Sequence, residues 1–412
     1  MNADNTKAND TNHFPLKGLG VLGAGGLGGL GQPYFIDTTL RDGEQSPGVV
    51  FSLSEKMRIA ALLDMAGVPE IEIGSPAMGR NEVNDIKTLC DMHFKFKTLA
   101  WCRAKIADIQ FASRAGTDGV HISFPVSPIL MQAMDLNPKW IERQMKELIA
   151  VSQSLFGYVT IGAQDAARAD KEFLLEFASL AHSLGARRVR LADTVGVLNP
   201  LTTHHMVSGI RSVLPDMELE IHAHNDLGMA TANTLAAYLA GAKCLSTTVN
   251  GLGERAGNAA MEEVAMALEF SAQISSTLKT ETFTKLSRYV AKVSKRPNSP
   301  FKPVTGEMAL THESGVHTSC LLKNPRTYQL FDACRIGQNE PEFLIGKHSG
   351  KATIFHYLEE AHLPIDDETC ADLLLRVKAC SEALKRAITK EELIDLYYEI
   401  YINKNPSLCL QP

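Results

Sequence analysis

From Tyr34 onward, short aliphatic runs alternate with longer stretches of helical periodicity, and the alternation repeats eight times. Strand-like runs fall at 35–40, 70–74, 97–101, 119–124, 158–162, 188–192, 219–224 and 244–249. Helix-like stretches follow near 54–66, 82–92, 105–115, 138–156, 170–184, 200–213, 229–240 and 259–273. Ser52 with Glu55 reads as a capping box at the start of one of them. Eight strands each followed by a helix, over about 240 residues, predict a (β/α)8 (TIM) barrel, an α/β fold. A doubly wound sheet is the runner-up, but it normally has fewer strands and a phosphate-binding glycine loop.

The flanks do not share this rhythm. Residues 1–32 read as a glycine-rich tail. Its Gly23-Ala24-Gly25-Gly26-Leu27-Gly28 fits G-x-G-x-x-G, but no strand precedes it and no helix opens on it, so a linker is the better reading. The catalytic barrel is expected over 33–275. Residues 276–412 then form a linker, a lid and a small, mostly helical accessory domain. A net charge of -6 gives no footprint for nucleic acid, and no apolar run approaches the length of a membrane span. Eight scattered cysteines without a Cys-x-x-Cys pair favour reduced thiols in a cytoplasmic protein.

In such barrels the chemistry sits at the C-terminal ends of the strands. Those ends hold Arg41, Asp42 and Gln45, then Arg103, then Gln164 and Asp165, then Thr194, then His222 and His224. The strand interiors read as aliphatic. His222 and His224 are two apart on a strand, so their imidazoles share a face. Together with Asp42 they offer two nitrogens and an oxygen to a divalent metal, and Asn258 could add an amide oxygen. A metal with open positions can polarise the keto group of a 2-oxo acid, and Arg41 beside Asp42 is placed to stabilise the alkoxide that develops.

The segment 37–45, Asp-Thr-Thr-Leu-Arg-Asp-Gly-Glu-Gln, resembles the opening signature of the metal-dependent acyl-CoA Claisen-condensing enzymes. That family includes the homocitrate, isopropylmalate and citramalate synthases. Segments 219–228, 250–258, 311–317 and 346–350 resemble its later signatures in the same order. Segments 99–103, 192–197 and 230–237 are most similar to homocitrate synthases of the nitrogen-fixation type. The resemblance implies a TIM barrel whose C-terminal lid crosses to a partner in a homodimer. It implies that Asp42, His222, His224 and Asn258 bind Mg, Mn or Zn. It implies that Gln45 and Thr194 line the pocket of the 2-oxo acid. His317 would act in enolisation of the acetyl-CoA methyl, with Tyr328 nearby. The implied reaction joins acetyl-CoA, 2-oxoglutarate and water to give homocitrate and CoA.

One position departs from the pattern. The family usually has Glu where this chain has Gln164. An amide holds a hydrogen bond but does not exchange a proton. Either Asp165 substitutes, or the carboxylate is dispensable here, or the enzyme is slow or carries out a variant condensation. Arg103 is expected to meet the distal carboxylate of a dicarboxylic oxo acid. Alternatives keep the chemistry with another 2-oxo acid, as in isopropylmalate, citramalate or Re-citrate synthases, or take a metal-dependent aldolase or lyase on a similar barrel.

Overall fold

The computed structural model describes residues 31–340 and 342–404, with the side chains of 402–404 left aside. The glycine pattern at 23–28 and nearly all of the tail lie outside these residues. The described chain divides into two compact units, one ending at Pro297 and the other beginning at Asn298.

The first unit is a closed barrel of eight parallel strands, each paired with the next and β8 with β1. They are β1 (Tyr34–Asp37), β2 (Glu70–Gly74), β3 (Lys97–Arg103), β4 (Gly119–Pro125), β5 (Tyr158–Gln164), β6 (Arg188–Asp193), β7 (Glu218–Ala223) and β8 (Cys244–Thr247). The expected (β/α)8 barrel is therefore borne out. The Ser52–Glu55 capping box forms at the start of the helix Leu53–Met65. Alternate strand residues such as Ile71, Ile73, Val189, Leu191, Leu219 and Ile221 are buried in one apolar cluster. Phe283, Leu286 and Val290, on the helix Phe283–Val293, join that same cluster.

The strand interiors are not uniformly aliphatic, and this corrects the sequence reading. Glu70, Glu72, His121, Arg188, Arg190 and Glu220 are all buried on strands. Arg188 reaches Glu70 at 2.5 Å and Glu220 at 2.7 Å, while Arg190 reaches Glu72 at 2.9 Å and Glu220 at 2.5 Å. β2 and β6 are not neighbours in the barrel, so the Arg188–Glu70 and Arg190–Glu72 pairs cross its lumen, while the two pairs with Glu220 join adjacent strands. Charges this deep are tolerated because each is paired and hydrogen-bonded.

The second unit is mostly helical, with long helices at Lys351–Glu360, Asp367–Leu384 and Lys390–Lys404. Its core gathers Ile345, Ile354, Leu358, Leu373, Val377 and Leu393.

Candidate metal centre and active site

The chain leaves β1 in a single π-helical turn, Thr39–Gly43, whose start is fixed by the Thr38 hydroxyl accepting from the Asp42 amide. This turn buries Arg41 and Asp42 side by side. Arg41 Nη1 donates to Asp42 Oδ1 at 2.7 Å, and Arg41 Nε donates to Glu72 Oε2 at 2.6 Å. The guanidinium also lies 5.4 Å from the ring centre of Trp101. Gln45, exposed at the rim, accepts from Arg41 Nη1 at 3.4 Å.

His222 on β7 and His224 just past its end supply the imidazoles, two strands away from β1 around the barrel. His222 Nε2 stands 3.6 Å from Asp42 Oδ2, and the rings of His222 and His224 are 4.9 Å apart and nearly perpendicular. One candidate ligand atom from each of Asp42, His222 and His224 lies within 4.8 Å of the others. An isolated antiparallel bridge between His224 and Asn258 brings the loop after β8 to the same place. There Asn258 Nδ2 donates to Asp42 Oδ2 at 2.5 Å.

The electrostatics suit a cation. Burial opposes ionisation of Asp42, but Arg41, the two imidazoles and the Asn258 amide outweigh it and hold the carboxyl well below the usual carboxylate range. Burial drives both His222 and His224 below the ordinary histidine value, so both present neutral nitrogens. Asn258 Oδ1 and His224 Nδ1 are buried and meet no hydrogen-bonding partner among the described residues. Buried polar atoms are rarely left so unless something else engages them. A carboxylate, two neutral imidazoles and a spare amide oxygen are a fitting donor set for a divalent metal.

The pattern of the HMGL-like family matches residues 32–290, well over half of the chain. The chain belongs to the HMGL-like family. A second pattern, the homocitrate synthase post-HMGL domain-like region, matches residues 304–385. Among relatives of this HMGL-like protein, homocitrate synthase 1 of Nostoc sp. is 44% identical over 88% of this chain and 96% of its own length. The 2-isopropylmalate synthase 2 of Caldanaerobacter subterraneus is 42% identical over 90% of this chain and 96% of its own. A 2-phosphonomethylmalate synthase of Streptomyces rubellomurinus is 35% identical over 88% and 96%. The resemblance to this group of synthases is thus borne out. A solved HMG-CoA lyase from Acinetobacter baumannii matches with a TM-score of 0.59 and 21% identity, over 66% of this chain and 94% of the lyase, a likeness of fold.

The other sequence-derived residues of this HMGL-like chain divide by location. Gln164 ends β5, partly exposed. Two residues earlier, a Cβ on Gly162 would collide with His121 Nε2, so glycine there makes room for that buried ring. Asp165, next in sequence, turns away: with φ 64° it is buried against Arg168, whose Nε reaches both carboxylate oxygens at 2.9 and 3.0 Å. It is therefore not a free stand-in for the family's glutamate. Thr194 Oγ1 accepts from the Asp165 amide at 2.8 Å. Arg103 is half-exposed, with Nε and Nη2 on Asp108 at 2.8 and 2.9 Å. In the helical unit, His317 stacks on Tyr328 with ring centres 3.9 Å apart and meets His312 Nδ1 at 3.3 Å.

Sequence reasoning missed Glu72, which anchors Arg41, and Ser246, which touches His222 Nδ1 at 2.9 Å. The alternation in Glu70-Ile71-Glu72-Ile73 was the available signal for the first. Nothing local marked the second.

Proposed function

We propose that this chain condenses acetyl-CoA with 2-oxoglutarate and water to give homocitrate and CoA. The observation that carries the reading is the buried Asp42–His222–His224 cluster with Arg41 bonded to Asp42. Asp42, His222, His224 and Asn258 would hold the divalent metal. When bound, the metal acts as a Lewis acid that orients a 2-oxo acid and polarises its keto group. Arg41 would stabilise the negative charge that grows on the keto oxygen. Gln45, Arg103 and Thr194 would line the oxo-acid pocket. His317, with Tyr328 beside it, would take a proton from the acetyl methyl. The carbanion equivalent then forms the new carbon–carbon bond at the keto carbon, and water cleaves the thioester to release CoA. Gln164 supports this by hydrogen bonding alone. The working form would be a cytoplasmic homodimer.

The Caldanaerobacter relative is named for isopropylmalate, while the Nostoc relative and a homocitrate synthase of Frankia alni, 42% identical over 79% of this chain, are named for homocitrate. A second reading, isopropylmalate synthesis from 2-oxoisovalerate, is favoured by the Caldanaerobacter relative. A thiol-release assay with acetyl-CoA, Mg, Mn or Zn, and a panel of 2-oxoglutarate, 2-oxoisovalerate, pyruvate, oxaloacetate and glyoxylate decides between them. The expected best substrate is 2-oxoglutarate. Absence of CoA release with every acid, at any metal, overturns both readings.

A further inference from the structure

The two histidines of the cluster are not equivalent. His222 and Ser246 are directly paired residues of β7 and β8, so both side chains stand on the same face of the sheet. Ser246 is fully buried and His222 nearly so. The Ser246 hydroxyl meets His222 Nδ1 at 2.9 Å, and this leaves His222 Nε2 directed at Asp42 Oδ2, 3.6 Å away. His224 has no such backing, since its Nδ1 is buried without a partner.

We infer that Ser246 is a positioning residue for the metal site, fixing the ring of His222 so that Nε2 is its ligand atom. This rests on the metal-site reading above. A histidine that ligates through one nitrogen donates the proton on the other to an acceptor, which fixes ring orientation and tautomer. A serine hydroxyl can accept that proton, and it can also donate when the nitrogen is bare, so it serves His222 in both states. Without it, Nδ1 would be a second buried orphan beside that of His224. The ring would then have no reason to prefer one flip over the other. No charged side chain is needed for this task, which suits a position at the wall of a lumen already crowded with paired charges.

The test is metal binding by the metal-stripped protein, measured by competition between the full-length chain and a chelating indicator for Mn or Zn. Ser246→Ala is expected to weaken binding about 10- to 100-fold, the usual effect of losing such a partner. Ser246→Thr, which keeps the hydroxyl, is expected to bind within a few-fold of the parent. The thermal midpoint of each metal-free variant reports folding separately. If Ser246→Ala does not fold, Ser246→Gly, which offers neither a hydrogen bond nor a metal ligand, takes its place with the same expectation. Binding by the alanine or glycine variant within about twofold of the parent overturns the inference. Absence of binding by the parent, or full binding by a His222→Ala control, overturns the metal-site reading instead.

Discussion

Arg41 and Glu72 form a buried ion pair in which Arg41 Nε and Nη2 both lie 2.6 Å from one oxygen, Glu72 Oε2. Glu72 faces Arg190 with its other oxygen, so the guanidinium beside the metal cluster is tied into the charged network of the lumen. Glu72→Gln would leave two buried cations short of a partner. Breaking one side of a buried pair costs about 3–5 kcal/mol, so the thermal midpoint should fall by several degrees. Arg41 would also lose its orientation. A shift of about 1 Å in such a group lowers kcat on the order of 100-fold. An unchanged kcat per folded molecule would show that Arg41 holds its place without Glu72.

Gln164 stands at a proposed catalytic position where the resemblance calls for Glu, and Asp165 does not compensate because Arg168 holds it. Gln164→Glu should therefore raise kcat in the thiol-release assay, and the gain should persist in an Asp165→Asn background. An unchanged or lower kcat would show that this site needs no carboxylate at β5.

Arg103 already shares Nε and Nη2 with Asp108. If the guanidinium also meets the distal carboxylate of the substrate, Arg103→Ala raises KM for 2-oxoglutarate far more than for pyruvate. That selective rise is the expected result. Equal changes in the two KM values would confine Arg103 to its pair with Asp108.

The legible parts of this molecule were those that repeat or sit close together in sequence. Eight strand–helix units set the barrel, and His222-x-His224 with Asp42 after the first strand set the candidate metal cluster. The charged lumen was harder to read. Alternation in Glu70-Ile71-Glu72 or Arg188-Val189-Arg190 announces one apolar face, and the polar face of a strand ordinarily meets water. Only closure of the barrel turns it inward, where Arg188 finds a partner 118 positions away. Ser246 was invisible for the same reason. In Cys244-Leu245-Ser246-Thr247 the serine gains meaning only once β8 lies beside β7. Asp165 misled because its left-handed backbone, which aims it at Arg168, carries no glycine to signal it.

Asp37, at the end of β1, is fully buried, and its carboxyl is pushed up to about 7, chiefly by burial, against a partly offsetting pair of bonds from Thr39. Unfolded, the same group titrates near 3.8. Between these values the folded chain holds a proton that the unfolded chain has lost. Its contribution is therefore complete below pH 4 and is lost as pH rises towards 7, at no more than about 1.4 kcal/mol per pH unit. Asp37→Asn removes this titration. The stability of the parent relative to the variant should decline from pH 4 to pH 7 and then level off, as read from urea midpoints. A difference independent of pH would mean that Asp37 is ionised in the folded state.

Gly315 and Gly350 bring two of the signature segments into backbone contact within the helical unit. A Cβ on Gly315 would lie 2.6 Å from the Gly350 nitrogen and 2.7 Å from its Cα. Both obstacles are main chain, so no side chain can swing aside. The Gly315 amide also donates to the His348 carbonyl at 2.9 Å, and Glu313 Oε1 accepts from the His348 amide at 3.1 Å, so the two segments cannot part without losing these bonds. Gly315→Ala should cost about 1–3 kcal/mol through overpacking and displace the helix Gly315–Leu321 that carries His317. On the proposed role of His317 in removing the methyl proton, kcat should fall while KM for the 2-oxo acid, whose proposed contacts lie on the barrel, should stay near the parent value. Val316→Ala, at a side chain 65% exposed, is the matched control and should change neither. A Gly315→Ala protein with the parent's kcat would separate the packing of this loop from the chemistry assigned to His317.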